Sequence, residues 1–254
     1  MARSTLYQLV ASDLRRTIYS GALGPGDQLP TEAELMTVHQ VSRNTVRLAL
    51  GELVNEGLVT RTPRRGTVVR ERRPLLMHPQ RELQPRPERG RQAGEYREAF
   101  AWAVSQEGRL PSQEIEVSIV EPAEEIASRL ELADEELAVV RRRLRFVDGQ
   151  PYNTNDSYFP LALVADSEIA RPGDIMRGAN KVLEELGHRQ VRVVDDIWAR
   201  MPNSAETERL QLQLGTPVVV YVRVGYDEEN TPVRVAVSVL PADKHLIRYE
   251  LESR

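Results

Sequence analysis

The segment from residue 29 to residue 70 constrains the fold most, because start and stop signals for two helices and a hairpin follow one another closely. Pro30 and Thr31 precede a short apolar run. Glu34 stands three residues after Thr31, which is the capping-box spacing at a helix N-terminus. Ser42 is placed to cap a second helix. The sequence therefore predicts two short, capped helices in succession.

The predicted second helix has one apolar face and a polar start. Side chains near the N-terminal end of a recognition helix meet base edges and phosphates in the major groove of DNA. Four polar residues in this helix occupy that position: Arg43, Asn44, Thr45 and Arg47.

Two alternating segments follow Gly57, with Pro63, Arg64, Arg65 and Gly66 between them. They predict an antiparallel hairpin with a tight cationic turn, which is a wing. Short helices and arginine-rich turns also occur singly in proteins that do not bind DNA. Their order here brings the basic positions to one edge and favours DNA binding. The candidate DNA-binding residues are Thr31, Ser42, Arg43, Asn44, Thr45, Arg47, Arg64, Arg65, Gly66 and Thr67.

Apolar residues at helical spacing from Leu6 to Ile18 predict a first helix under the other two. The runs IYSGALGPGDQLPTEAEL, VSRNTVRLALGELVNEGLV and RRGTVV resemble the winged helix-turn-helix domain of GntR-family transcription regulators, over nearly all of residues 4–70. Ala33 stands where the family often has Arg, so one contact is either missing or supplied by the wing. The resemblance implies DNA contacts from Ser42, Arg43, Thr45, Arg47 and Gly66.

Charge is distributed unevenly along the 254 residues. Residues 1–92 hold 15 Arg and no Lys against 9 acidic residues, a net charge of +6, whereas the remainder carries −10. A basic module on an acidic remainder suits a DNA reader attached to a second domain. We predict a DNA-binding domain over residues 1–72, a linker over 73–94 and a second domain over 95–254. The linker is expected to be a tether, or a tether whose arginines add nonspecific phosphate contacts.

The composition also excludes some chemistry. The chain has no cysteine, which rules out disulfides, thiolate metal sites and a cysteine nucleophile. Its four histidines lack metal-ligand spacing and are expected on the surface or in turns. We predict no cofactor and no metal. Since no apolar run reaches membrane-spanning length, we expect a cytoplasmic protein with no membrane partner, at the nucleoid when bound to DNA.

From residue 95 onward, strand patterns alternate with helical ones. Antiparallel hairpins with helices between them predict an α+β domain, in which helices cover one face of a twisted sheet. The predicted strands span residues 115–119, 137–147, 152–159, 191–201, 218–226 and 232–240, and the predicted helices 95–106, 122–132, 175–187 and 203–214.

The order VVRRRLRFVDGQPYNTNDSYFP, VLEELG and AETERLQLQLGTPVVVYVRVGYDEENTPVRVAVSVLP is similar to the UTRA effector domain of the HutC subfamily, over roughly residues 95–250. The resemblance implies a chorismate-lyase-like antiparallel sheet and a homodimer formed largely through this domain. It also implies a small-molecule effector that changes the spacing of the two DNA modules. Repression at a palindromic operator on double-stranded DNA is the default for such regulators.

Strand alternation puts Arg141, Arg143 and Arg145 on one face. Three aligned arginines repel one another, so an anionic partner is expected. That partner is either a ligand carboxylate or phosphate, or acids on neighbouring strands such as Asp156 or Asp196.

The resemblance assigns effector contacts to Arg143 and Arg145. Asn155 and Arg234 stand where many relatives carry acids, and the chain lacks a phosphate-holding segment rich in Ser and Thr, which disfavours a sugar phosphate. The candidate effector-binding residues are Arg143, Arg145, Asn155, Ser157, Tyr158, Asp196 and Arg234.

The sequence therefore predicts a DNA-binding transcription regulator, a repressor released by a small anionic or polar metabolite. One alternative is an effector-free repressor whose C-terminal domain only dimerises. The other is an enzyme with a DNA-binding module. The enzyme is disfavoured because a catalyst needs a placed acid, base or nucleophile, and this chain shows arginines and scattered carboxylates with no His or Cys nearby.

Overall fold

The computed structural model describes residues 5–62, 64–70, 74–82 and 99–251. Within those limits the chain divides into two compact units. The first spans Met1–Arg73 and Met201–Pro217, and the second spans Pro74–Arg200 and Val218–Arg254. The segment 201–217, which the sequence places inside the second domain, thus belongs to the same unit as the N-terminal helices.

The first unit contains three N-terminal helices, a hairpin and one short helix from the segment 201–217. Arg15 of the first helix donates to Glu52 and Glu56 of the third at 3.1 and 2.5 Å, so ion pairs join these helices beside their apolar contact. The elements are α1 (Leu6–Tyr19), α2 (Glu32–His39), α3 (Arg43–Asn55), β1 (Val59–Thr62), β2 (Gly66–Val69) and α8 (Ser204–Arg209). The buried core is Val10, Ala11, Leu14, Leu29, Leu35, Val46, Ala49, Leu50, Leu53, Val59 and Val69.

Both predicted N-caps are confirmed. The Thr31 hydroxyl accepts from the Glu34 backbone N–H at 3.3 Å, and the Glu34 carboxylate accepts from the Thr31 N–H at 2.7 Å. These hydrogen bonds hold the pKa of Glu34 below its usual value. The Ser42 hydroxyl accepts from the Thr45 N–H at 3.2 Å and so begins α3. Local hydrogen bonds alone set these helix starts.

The hairpin pairs β1 and β2 antiparallel, with Thr62 opposite Gly66. The chain before α2 lies along its outer edge, since Leu29 N–H donates to Thr67 O at 2.9 Å. Arg64 and Gly66 have positive φ values of 66° and 75°, which turn the chain tightly. Pro63, part of the predicted turn, lies outside the described residues.

The second unit is built on a six-stranded antiparallel sheet in the order β4-β5-β6-β9-β8-β7. A short parallel pair, β3 with β10, accompanies it. The strands are β3 (Leu75–Met77), β4 (Pro111–Val120), β5 (Ala138–Val147), β6 (Gln150–Pro160), β7 (Arg192–Arg200), β8 (Val218–Tyr226), β9 (Pro232–Pro241) and β10 (His245–Ile247). The helices are α4 (Ala99–Gln106), α5 (Glu124–Arg129), α6 (Leu161–Val164) and α7 (Ala179–Glu185).

The register defines two faces of this sheet. Residues directly opposite each other in neighbouring strands point to the same side, so the row through Arg143, Asn155 and Ser238 marks one face, called here the arginine face. The row through Arg142 and Asp156 marks the opposite face.

Helices lie on both faces, which corrects the prediction that they cover one. On the arginine face, α6 and α7 contribute Val164, Val182 and Leu183 to a core with Phe159. On the opposite face, α5 packs its apolar side against the valines of β8 and β9. Side chains on either face of this sheet therefore lie between the strands and packed helices.

Several boundaries also differ from the sequence prediction. Part of the predicted linker is strand β3 followed by a 3-10 turn, Pro79–Glu82. Strand β3 is stabilised by parallel pairing with β10, which lies far along the chain. The local sequence pattern therefore does not predict it. The helices α5, α7 and α8 are shorter than predicted, and residues 95–98 of the first predicted helix lie outside the described residues.

Candidate DNA-binding surface and effector site

The start of α3 presents the predicted recognition residues to solvent. Arg43, Asn44 and Arg47 are exposed and Thr45 is half-buried. The Arg43 side chain is 69% exposed, and its Nε lies 3.5 Å from the Glu32 carboxylate. Such a pair on the surface is weak, so the guanidinium is free to exchange the carboxylate for a phosphate or base edge.

The two hydroxyls of this helix start contact each other. Ser42 Oγ and Thr45 Oγ1 are 2.8 Å apart. Ser42 also caps the helix, so its hydroxyl lies next to the first backbone N–H groups of α3. Such a helix N-terminus favours a phosphate group. Thr31 caps α2 and is exposed.

The wing residues are also accessible. Arg64, Arg65 and Gly66 are exposed, and Thr67 is half-buried. Arg65 reaches back to the carbonyl of Gly26 at 3.4 Å. Arg61, which the sequence analysis passed over, is exposed on β1 directly opposite Thr67. Strand alternation along β1 predicts that Arg61 lies on the solvent side of the hairpin, and this pattern could have identified it.

On the arginine face, two guanidinium groups meet at one hydroxyl. Arg143 Nη1 and Arg234 Nη2 donate to Ser157 Oγ at 3.5 and 3.1 Å. Arg143 is 5% exposed and Ser157 is fully buried. Arg234 also donates to Asn180 of α7 at 2.8 Å, so the helix positions this side chain. The structure thus brings together residues from three strands that the sequence proposed as one site.

A chain of neutral hydrogen bonds adjoins this pair. Ser157 Oγ donates to Asn155 Oδ1 at 3.3 Å, and Asn155 Nδ2 donates to Ser238 Oγ at 2.8 Å. Ser238 on β9 was not a candidate from the sequence, because only the sheet register shows that it lies opposite Asn155. Arg145, farther along the same face, stacks over the Phe100 ring of α4 at 4.8 Å.

Two predicted effector residues lie elsewhere. Tyr158 contributes to the apolar core on the opposite face. Asp196 accepts from Arg129 of α5 at 2.6 Å on that same side. Successive strand residues alternate between faces, so Tyr158 cannot share a face with Ser157. We therefore remove Tyr158 and Asp196 from the candidate site.

The two acids named as possible partners of the arginines lie on the opposite face of the sheet. Asp156 lies across from Arg142, with the two side chains 4.0 Å apart, and so faces away from Arg143 and Arg145. Arg141 is fully buried and donates to the backbone carbonyls of Ile169 and Arg171 at 3.0 and 2.9 Å. Its role is to hold the segment after α6 against the sheet.

The histidines are not all surface groups. His245 donates from Nδ1 to the Pro241 carbonyl at 2.9 Å and stacks on Tyr152, with ring centroids 4.2 Å apart. His188 pairs with Asp227 at 2.9 Å. No helix in the described part of the chain has both the length and the hydrophobicity to cross a membrane.

A winged helix with an exposed basic start to its third helix, on a chain that also carries a sheet unit with a buried polar site, defines a class of DNA-binding regulator. The family model for bacterial regulatory proteins of the gntR family matches residues 6–69, and that for the UTRA domain matches residues 105–245. The chain belongs to the GntR family, in the group that carries a UTRA domain.

Individual relatives agree with this assignment over almost the whole chain. An HTH-type transcriptional regulator of Streptomyces coelicolor is 29% identical over 249 residues, covering 96% of this chain and 91% of the relative. The HTH-type transcriptional repressor NagR of Bacillus subtilis is 26% identical over 242 residues, covering 94% and 92%. A crystal structure assigned to a GntR-family transcriptional regulator has a TM-score of 0.68 at 25% identity, covering 99% of both chains.

These findings confirm the predicted α+β fold class and the predicted DNA-binding regulator. GntR regulators bind DNA and UTRA domains bind small-molecule effectors. The relatives named above are regulators, which supports a regulatory function over an enzymatic one.

Proposed function

We propose that this protein is a homodimeric repressor that binds a palindromic operator and is released by a small anionic effector bound at the arginine face. One observation carries the effector half of this proposal: Arg143 and Arg234 from two strands converge on the buried hydroxyl of Ser157. Both guanidinium groups can donate charge-assisted hydrogen bonds to an anionic ligand at this hydroxyl.

The surroundings of the two guanidiniums suit a small polar ligand. Burial strengthens charge-assisted hydrogen bonds, because water does not screen them. The hydroxyls and amides of Ser157, Asn155 and Ser238 add neutral donors and acceptors to orient the ligand. A small carboxylate or similar anion matches this mixture better than an apolar molecule.

The DNA half of the proposal rests on α3 and the wing. Arg43 and Arg47 are one helical turn apart and exposed, which suits entry into a major groove. Either guanidinium can pair with a guanine through two hydrogen bonds. Arg64 and Arg65 on the wing suit phosphate contacts, which position the protein without reading sequence. A dimer with two-fold symmetry would read two inverted half-sites.

Effector and operator would then act on each other through linkage. If effector-bound and DNA-bound dimers hold their recognition helices at different separations, each ligand lowers the affinity for the other by the same factor. The relative NagR is named a repressor, which supports repression here. Such a protein would act in the cytoplasm, at the nucleoid while bound to DNA.

A matched pair of arginine variants tests the effector site. The full chain is first screened by thermal shift against small carboxylates and phosphate esters, and hits are measured by titration calorimetry. Arg143→Ala is expected to weaken a hit at least tenfold, and Arg142→Ala, one residue along but on the opposite face, to leave it unchanged. Operator binding, measured by fluorescence anisotropy on DNA selected from a random pool, should survive in both.

Unchanged calorimetric affinity in Arg143→Ala, or in Arg143→Ala combined with Arg145→Ala, would contradict the effector site. A footprint in which one monomer protects a single asymmetric site would contradict the dimer and its palindrome.

A further inference from the structure

Asn153 on β6 lies on the arginine face, directly across from Arg145 of β5. The residue is 5% exposed, so its amide is removed from water. A buried amide needs hydrogen-bond partners for both its NH₂ group and its oxygen. The orientation of the amide therefore decides which kind of partner it can bind on each side. The neighbouring His245 settles that orientation.

The hydrogen bonds of His245 determine its tautomer. Its Nδ1 lies 2.9 Å from the carbonyl oxygen of Pro241, and a carbonyl only accepts, so Nδ1 carries the proton. Desolvation chiefly, and the charges of Lys244 and Arg145 to a smaller extent, lower the pKa of His245 to about 4. At neutral pH the ring is therefore uncharged and its Nε2 is an acceptor.

Asn153 must then turn its NH₂ group to the histidine. The contact between Asn153 Nδ2 and His245 Nε2 is 3.0 Å, which is a hydrogen bond from the amide to the ring. The amide oxygen is then the atom that remains for another donor. In the described part of the chain, Asn153 Oδ1 is buried and accepts no hydrogen bond.

We propose that Asn153 is a specificity-determining residue whose Oδ1 accepts a hydrogen bond from an O–H or N–H group of the effector. Together with the arginines, Asn153 selects an anion that also carries a hydrogen-bond donor, such as a hydroxy or amino acid. An anion with a methyl group in place of that donor is disfavoured. This inference rests on the proposed effector site.

The selectivity has a direct physical origin. A ligand with a donor satisfies the buried oxygen, whereas a ligand with a methyl group in its place leaves the oxygen unpaired after the remaining water is displaced. His245 prevents the amide from rotating to offer its NH₂ group instead. Its ring is held in turn by the Pro241 carbonyl and by the Tyr152 ring.

Matched pairs of anions test this without knowledge of the natural effector. The probes are lactate against isobutyrate, and the isomeric hydroxybenzoates against the corresponding methylbenzoates, so that a methyl group replaces the hydroxyl at several distances from the carboxylate. Each is titrated into the full chain by calorimetry. For at least one pair, the hydroxy compound is expected to bind about tenfold more tightly, which corresponds to one good hydrogen bond.

Three variants identify the residue responsible. Asn153→Leu should bring the ratio of the two affinities close to one while both compounds still bind, and His245→Phe should also reduce the ratio because it frees the amide to rotate. Thr154→Val, the next residue along β6 and on the opposite face, is the control and should leave the ratio unchanged.

The outcomes separate this inference from the function on which it rests. If the anions bind and Arg143→Ala weakens them, but the ratio is near one in the wild type or is unchanged by Asn153→Leu, the inference is wrong and the effector site stands. If none of the anions binds the wild type, the effector site fails and the inference fails with it, although operator binding by α3 is unaffected.

Discussion

Arg70 and Gln213 are joined by two hydrogen bonds, since Nε and Nη2 of the arginine donate to Oε1 of the glutamine at 3.0 and 2.8 Å. Arg70 follows the wing and is 7% exposed. Gln213 belongs to the segment 201–217, which leaves the sheet after β7 and returns to it at β8. The segment that connects two sheet strands is thus part of the winged-helix unit.

Close backbone packing at Gly215 accompanies this hydrogen-bond pair. Gly215 has φ +75°, and a β-carbon there would overlap the carbonyl oxygen of Asn55 at the end of α3. Gly21 has a similar φ of +80° but open space around it. Gly21→Ala is therefore expected to cost about 1 kcal/mol, from backbone strain alone. Gly215→Ala should cost about 1–3 kcal/mol more, because the two backbones must separate.

Denaturant unfolding of the two alanine variants measures the difference. Equal losses in the free energy of unfolding at positions 21 and 215 would show that the segment does not pack tightly on α3.

Substitutions of the recognition-helix and wing arginines are expected to affect DNA binding differently. Arg47→Ala should cost about 1–3 kcal/mol of operator binding and relax the preference at one position in each half-site. Arg65→Ala should weaken all sequences alike and reduce the salt dependence by about one counterion, because a wing contact goes to phosphate. Anisotropy titrations on the selected operator and its single-base variants, at several salt concentrations, distinguish the two. A uniform loss for Arg47→Ala would place that side chain on the backbone.

The depressed pKa of His245 makes stability depend on pH. Desolvation lowers this pKa from 6.5 to about 4, so between those values the unfolded chain binds a proton that the folded protein does not. Stability should therefore fall as the pH drops from 6.5, by about 2 kcal/mol at pH 4.5. Unfolding free energies of the wild type and His245→Phe, measured across this range, should converge towards low pH. Curves that stay parallel would mean that the histidine titrates normally.

A buried ion pair on the arginine face joins Arg223 of β8 to Asp195 of β7. The guanidinium binds both carboxylate oxygens, at 2.7 and 2.8 Å, and is 4% exposed. Burial opposes the charge on Asp195, yet hydrogen bonds from Arg223 and Tyr249 lower its pKa overall. Arg223→Met should cost about 3–5 kcal/mol, because it leaves the carboxylate buried without its partner.

The double variant Arg223→Met with Asp195→Leu is the check on this cause. It should recover most of the loss in chemical denaturation, since neither charge of this pair remains. A double variant as unstable as the single one would show that packing of the arginine stem, not the charge, is what Arg223 contributes.

Local signals explain why the first unit was predictable. Thr31 and Ser42 begin their helices through hydrogen bonds to residues three positions away, and the wing turns through a tight hairpin. Such contacts join residues that are close together in the chain, so the local sequence predicts them. The roles of individual side chains in binding DNA stay predictions, to be tested on DNA itself.

The effector site depended on the sheet instead. Alternation along β5 placed Arg143 on a face correctly, but only the register of β6 and β9 brings Ser157 and Arg234 to it and carries Tyr158 to the other side. The contact between Asn153 and His245 joins residues 92 positions apart, and strand β3 exists because β10 pairs with it. None of these contacts leaves a local pattern.

The sequence by itself determined the family, the two classes of unit and the starts of the DNA-reading helices, because caps, helical spacing and strand alternation act over a few residues. The tertiary structure decided which polar groups face one another across strands and that the segment 201–217 packs with the winged helix. Those choices are made by strand register and close packing, which depend on residues that the chain brings together only when it folds.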